Sequence, residues 1–239
     1  MLKTPTLEDR YAAILDSVHP DFLTGKAFPK LSTPFLVSPP HDQAARKVMV
    51  VGRECGAPWR VGHEGAEVRA YIAAALKHHE CKFKAWMEKR QRGATFFNFM
   101  RQIEQKVGRG GLIYSNLFAF DFDGQDPRAC KEHYESVIEP LSRELLKAQI
   151  DHFRPDLIIF ANGVTSMQVR RRIFPHAPGV VKGGQDWSAA PHSIPNSQLW
   201  EFELYGRYRC LRIQHPSNYS KPAARARQFL VDRLLPAAP

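Results

Sequence analysis

The segment that most constrains this chain is a short one, KVMVV at 47–51, closed by Gly52. Its four apolar residues run without alternation, and three of them are valines. That pattern suits a strand buried on both faces, and such strands belong to parallel sheets covered by helices on either side. Three more runs follow: LIYSNLF (112–118), DLIIFAN (156–162) and RYRCLRIQH (207–215). Helical spacing fills 64–90, 94–107 and 129–153, and a last helix is expected over 221–235. WEFELYG (200–206) alternates, so it is expected to pair with 207–214 as a hairpin around Gly206. This order predicts an α/β fold, a three-layer sandwich with a mainly parallel four-stranded central sheet flanked by helices. In such sheets the ligand sits in the loops that follow the carboxyl ends of the strands.

Residues 1–45 read differently. Residues 7–18 have helical spacing with Thr6 as cap, and then Pro20, Pro29, Pro34, Pro39 and Pro40 forbid long regular structure. This stretch is expected to be an N-terminal helix and a proline-rich wrapping arm, with 46–239 as a single globular unit.

Composition narrows the class. A chain of 239 residues, 44% hydrophobic and 24% charged, has enough apolar material for a core, which excludes disordered and fibrous proteins. No apolar run approaches the length of a membrane span, and the polar, acid-bearing N-terminus lacks the pattern of a signal or transit peptide. A cytoplasmic monomer without a membrane partner is the expectation. Lys and Arg number 34 against 24 acids, a net charge of +10. Such a surplus suits a polyanion, nucleic acid first and a membrane surface second, and the alternative is a merely solvated basic surface. The basic residues cluster. No acid lies between Asp156 and Asp186 or between Arg207 and Arg227. Arg170, Arg171, Lys182, Lys221 and Arg225 are therefore the expected DNA contacts, whose phosphate pairing would be salt-dependent. Cys55, Cys81, Cys130 and Cys210 are dispersed, with no CxxC pair for zinc, and read as reduced thiols.

Three strand ends carry chemically capable residues. After the first strand, in VVGRECGAPW (50–59), Gly52 allows a sharp turn and Glu54 is placed to face a ligand. An ordinary helix cap or surface charge is the alternative. The second ends in IYSNLFAFD (113–121), where Asn116 must satisfy two amide donors and an acceptor, as a bridge between loops or as a reader of a base edge. The fourth ends in IQHPSNYS (213–220), where His215 meets a proline-stiffened turn, or simply a capped turn.

Taken in this order, GRECGAPW (52–59), GLIYSNLF (111–118) and HPSNYS (215–220) resemble the uracil-DNA glycosylase superfamily, and FRPDLIIFANG (153–163) is similar to its third core strand. The resemblance spans about 45–232. It implies a DNA glycosylase that flips out a modified or damaged pyrimidine of single- or double-stranded DNA and hydrolyses its N-glycosidic bond, with no metal and no cofactor. It implies that Glu54 activates water and offsets the sugar cation, and that His215 stabilises the departing base. By the same resemblance Asn116 reads the base edge, Trp59 or a nearby Phe stacks on the base, Ser217 grips a phosphate, and Tyr219 is the intercalating wedge. The chain departs from the best-known branch by having Glu54 in place of Asp. Cys55 and Gly56 stand where that branch has proline and a screening aromatic residue. Small residues there leave room for bulky C5-modified bases such as those of phage DNA, a role in defence. General repair of uracil or oxidised pyrimidines is the alternative, and a non-catalytic DNA-binding module is a second. The dispersed cysteines do not suit the iron–sulfur branches. A nucleotide-hydrolysing enzyme would call for GxGxxG or GxxxxGK[ST], and neither occurs.

Overall fold

The computed structural model describes residues 5–25, 28–38, 44–56, 58–62, 67–90, 92–93 and 95–235. Pro39, Pro40, Ala57 and the expected helix start at 64–66 lie outside them. The chain packs as two compact units, each drawn from three stretches. The first comprises Met1–Ser38, Arg53–Lys84 and Asn116–Phe153, the second Pro39–Gly52, Ala85–Ser115 and Arg154–Pro239.

Among the described residues six strands form one sheet: β1 (Val48–Gly52), β2 (Leu112–Asn116), β3 (Leu157–Phe160), β4 (Val181–Gly183), β5 (Leu199–Leu204) and β6 (Tyr208–Ile213). Their order is β2-β1-β3-β6-β5-β4. β1 pairs with β3 in parallel, Val50 opposite Ile159, and β3 pairs with β6 in parallel, Ile159 opposite Leu211. β5 and β6 form the expected hairpin, Leu204 opposite Tyr208, around Tyr205 and Gly206 at φ 55° and 63°. The fold is the expected α/β class, a mostly parallel sheet flanked by helices. The sheet has six strands because β5 and a short β4 extend it antiparallel, Val181 opposite Leu204. β4 is only three residues long and mostly exposed, so it carries no apolar run to read.

The continuous apolar segments are buried as their pattern requires. Every residue of β1, β2 and β3 is buried. Phe160 packs its ring 5.9 Å from Phe174 and 5.7 Å from Phe202, centroid to centroid. Truncating such a central ring to alanine costs about 3–5 kcal/mol.

Eight helices are described. α1 (Leu7–Leu15) starts at a capping box in which Thr6 accepts from the Asp9 amide and Asp9 accepts in return from the Thr6 amide. α2 (Pro20–Thr24) is a short helix with proline at its first position, the one helical site where the missing N–H costs nothing. α3 (Val68–Glu88) and α4 (Phe96–Val107) follow. α5 (Lys131–His133) and α6 (Glu139–Phe153) are joined by a π-helical turn, Tyr134–Ile138, so the periodic stretch 129–153 is helical with a bulge. α7 (Met167–Ile173) was hidden from sequence by its shortness, and α8 (Lys221–Phe229) continues into a second π turn, Leu230–Leu234. No helix among the described residues is long and apolar enough to cross a membrane.

In the first unit the proline-rich arm is extended and internal. The Ser32 amide donates to the Asp121 carbonyl at 2.9 Å and the Thr33 amide to the Trp59 carbonyl at 3.1 Å, while Leu31 to Val37 are buried. Proline-broken sequence thus obtains its hydrogen bonds from other segments instead of from a ladder of its own.

Candidate functional site

β1 ends at Gly52, and the next two residues form a charge pair. Both oxygens of Glu54 accept from the guanidinium of Arg53, the Nη2 contact at 2.6 Å and the Nε contact shorter still. The Glu54 side chain is only 7% exposed. Burial lifts its carboxyl above the ordinary glutamate value, against the pull of Arg53, and Asp126 and Asp121 add to the lift. A buried carboxylate of raised pKa, held in one orientation by a fork of donors, has the character of a general base.

The pair is the head of a chain of charges in the first unit. Arg53 Nη1 lies 4.0 Å from Asp126 Oδ2, and Asp126 in turn accepts from Arg128 Nε at 2.9 and 3.0 Å and from Nη2. Burial pushes Asp126 up, yet the bonds from Arg128 outweigh it and hold the group below its usual value. Phe118, two residues past the end of β2, donates its amide to the Arg53 carbonyl at 2.9 Å, so the segments leaving β1 and β2 run together.

Asn116 closes β2 at 4% exposure. Its Nδ2 donates to Cys55 Sγ at 3.6 Å, and its Oδ1 is buried with no hydrogen-bond partner among the described residues. The weak bond to sulfur sets the amide's orientation and leaves a fixed acceptor. Burial pushes the Cys55 thiol well up, so it remains neutral, a packing and orienting group rather than a nucleophile. Gly56 is exposed, with nothing within 4 Å of where a Cβ would stand.

Trp59 differs from expectation. It is 3% exposed, its ring 4.7 Å from Phe35 and 4.5 Å, edge-on, from His78. Its faces are occupied by core neighbours, so it anchors the loop and does not offer a ring to a base. Asp121 holds it there. This fully buried carboxylate accepts from the Trp59 amide at 2.9 Å and from the Gly124 amide at 2.7 Å, and burial raises its pKa despite those bonds. Sequence reasoning missed Arg53 and Asp121 as functional residues. An acid ending the apolar run FAFD was the available signal for the latter.

In the second unit, β6 delivers His215 to an exposed turn. The Asn218 amide donates to the His215 carbonyl at 2.8 Å, and the Ser217 amide to His215 Nδ1 at 3.3 Å. An acceptor at Nδ1 leaves Nε2 as the protonated nitrogen, the tautomer that donates outward. Phe96, the first residue of α4, stacks on the imidazole with centroids 5.9 Å apart at 25°. Ser217 is exposed, and Tyr219 stands 73% exposed with its Cε1 and hydroxyl oxygen 3.8 Å from where a Cβ on Gly93 would stand.

The basic residues divide. Arg171, Lys182, Lys221 and Arg225 are exposed, although Arg225 also donates to the His192 carbonyl at 2.7 Å. Arg170 corrects the expectation of a DNA contact. It is 2% exposed, its guanidinium 4.9 Å from the ring centroids of both Trp200 and Phe202, and burial draws its pKa down to about 10. A cation stacked inside an aromatic core offers nothing to a phosphate. Arg209 pairs with Glu201, Nε to Oε1 at 3.0 Å, and Arg212 donates to the Ser197 carbonyl at 2.6 Å. The stretch without acids therefore borrows its counter-charge from β5.

Compared with protein-family models and with curated proteins, the chain matches none.

Proposed function

We propose that this protein is a DNA glycosylase that hydrolyses the N-glycosidic bond of a flipped pyrimidine. The observation that carries the reading is Glu54: a carboxylate of raised pKa, 7% exposed, clamped by Arg53 immediately after a central parallel strand. In this reaction a water oxygen forms a bond to the anomeric carbon as the carbon–nitrogen bond breaks. Glu54 takes the water proton, and its charge offsets the developing sugar cation. The base leaves with the bonding electron pair, and the Nε2–H of His215 donates to its O2 as charge collects there. Asn116 supplies a fixed, buried acceptor for the base edge. Flipping costs a few kcal/mol of unstacking, and an exposed ring such as Tyr219 is suited to fill the gap left in the duplex. Ser217, Arg171, Lys182, Lys221 and Arg225 supply surface contacts to phosphates.

Room at Gly56 supports a substrate with a C5 substituent, as in hypermodified phage DNA, since a small residue does not exclude added bulk. The test is mass spectrometry of bases released from duplexes carrying uracil, 5-hydroxymethyluracil, 5-hydroxymethylcytosine or its glucosylated form. Release by the wild-type protein, faster on the C5-modified bases and lowered about 100-fold or more in Glu54→Gln, is the expected result. Undiminished release by Glu54→Gln removes the glycosylase assignment. A strong preference for plain uracil removes the C5 reading alone.

A further inference from the structure

The carboxyl end of β3 carries an amide that the fold itself does not use. Asn162 follows β3 by two residues and is 2% exposed. Neither its Nδ2 nor its Oδ1 has a hydrogen-bond partner among the described residues. Its backbone is well held: its carbonyl accepts from Ser166 Oγ at 3.1 Å, and the neighbouring Gly163 amide donates to the Ile213 carbonyl at 3.3 Å. Buried amides normally satisfy both ends, and one left with neither lowers stability unless a ligand completes it.

What adjoins this position is the His215 segment. Gly163 has φ +71°, and a Cβ built on it would stand 3.4 Å from the His215 amide nitrogen and 3.6 Å from Gln214 Oε1. The positive φ is what favours glycine there, and the turn after β3 runs within ordinary contact distance of the chain at the base of the His215 turn. Asn162 thus lies at the carboxyl edge of the sheet, and the residue after it lies against the His215 backbone.

We propose that Asn162 is a second substrate-binding amide, whose Nδ2 donates to a carbonyl on the edge of the nucleobase held at His215. An amide N–H2 donates, and the Watson–Crick edge of uracil carries the O4 carbonyl beside the N3–H that suits an acceptor such as Asn116. This inference rests on the glycosylase reading and extends it: β3, as well as β2 and β6, supplies a recognition group.

A substrate-facing amide and a structural one respond oppositely to removal. Asn162→Ala and the near-isosteric Asn162→Leu should keep or raise the melting temperature, because each deletes an uncompensated buried polar group. Both should weaken recognition. The probes are duplexes carrying 2′-fluoro-2′-deoxyuridine or its 5-hydroxymethyl derivative, in which fluorine slows bond cleavage, each compared with an unmodified duplex by fluorescence anisotropy. The expected result is a loss of about 10-fold or more in preference for the fluorinated duplex, as when a buried base carbonyl loses its donor, with melting temperature maintained in the leucine variant. Unchanged preference in both variants overturns the assignment of Asn162 while leaving the glycosylase reading intact. If the wild-type protein releases no base and prefers neither fluorinated duplex, the glycosylase reading fails, and this inference with it.

Discussion

The loop after β1 and the turn after β6 are two strand ends built in opposite ways. Glu54 is held by the adjacent Arg53, and the loop around it by a buried carboxylate, Asp121, that fixes the Trp59 backbone. Its charge sits where water is scarce, and its pKa is raised by that burial. His215 stands exposed, with the Ser217 amide donating to its Nδ1 and the Phe96 ring stacked on it. The first group is tuned by its environment, at a cost in desolvation. The second is positioned by local turn geometry at almost no cost. A residue that must change protonation benefits from a shifted pKa, whereas one that only donates a hydrogen bond benefits from a defined tautomer. The two architectures suit the two tasks proposed for these residues.

The contrast can be broken most sharply at His215. His215→Ala should lower single-turnover base release by roughly 100-fold, the usual scale for removing a donor to a developing anion. Its exposure predicts a melting temperature close to that of the wild type. A large fall in stability with intact catalysis would make the turn structural and end the comparison.

Asp121 tests the other side. Asp121→Asn replaces one acceptor oxygen with a donor, so one of the two amides it serves, Trp59 or Gly124, faces a like group. The expected cost is about 1–3 kcal/mol in denaturant unfolding, accompanied by slower base release as the Trp59 loop loosens. An unchanged midpoint would show that Trp59 is held by its ring packing alone.

The smallest effect sharpens the account of Glu54. Its folded-state pKa is raised, so the active carboxylate is lost as pH falls through a point above the ordinary glutamate value, and the acid limb of the rate profile should lie there. Arg53 acts in the lowering direction. Arg53→Ala should therefore move that limb to still higher pH while the rate at alkaline pH changes less. A limb that moves down, or stays fixed, would separate Glu54 from the titration that limits the rate.

Much of this architecture was legible in the sequence, and the parts that were not share a cause. The apolar runs at 47–51, 112–118, 156–162 and 207–215 identified the strands of a mostly parallel sheet, because burial on both faces leaves a local signature. The hairpin at Gly206 was equally local, since a tight turn requires positive φ. Capping at Thr6 was local too, since the box closes within the four residues Thr6 to Asp9. Glu54, Asn116 and His215 were visible because each ends such a run.

Other features needed the folded chain, for each depends on residues far apart in sequence. Arg170 read as a surface cation among neighbouring basic residues, yet Trp200 and Phe202 on β5 enclose it. Arg209 seemed unopposed until β5 brought Glu201 beside it. Trp59 read as a base-stacking ring, but Phe35 from the arm and His78 from α3 occupy its faces. The pairing of Asp121 with Trp59, 62 positions apart, and the unused amide of Asn162 follow from the same circumstance. Periodicity reports whether a position faces inward; which groups meet there, and which are left without a partner, is a property of tertiary contact.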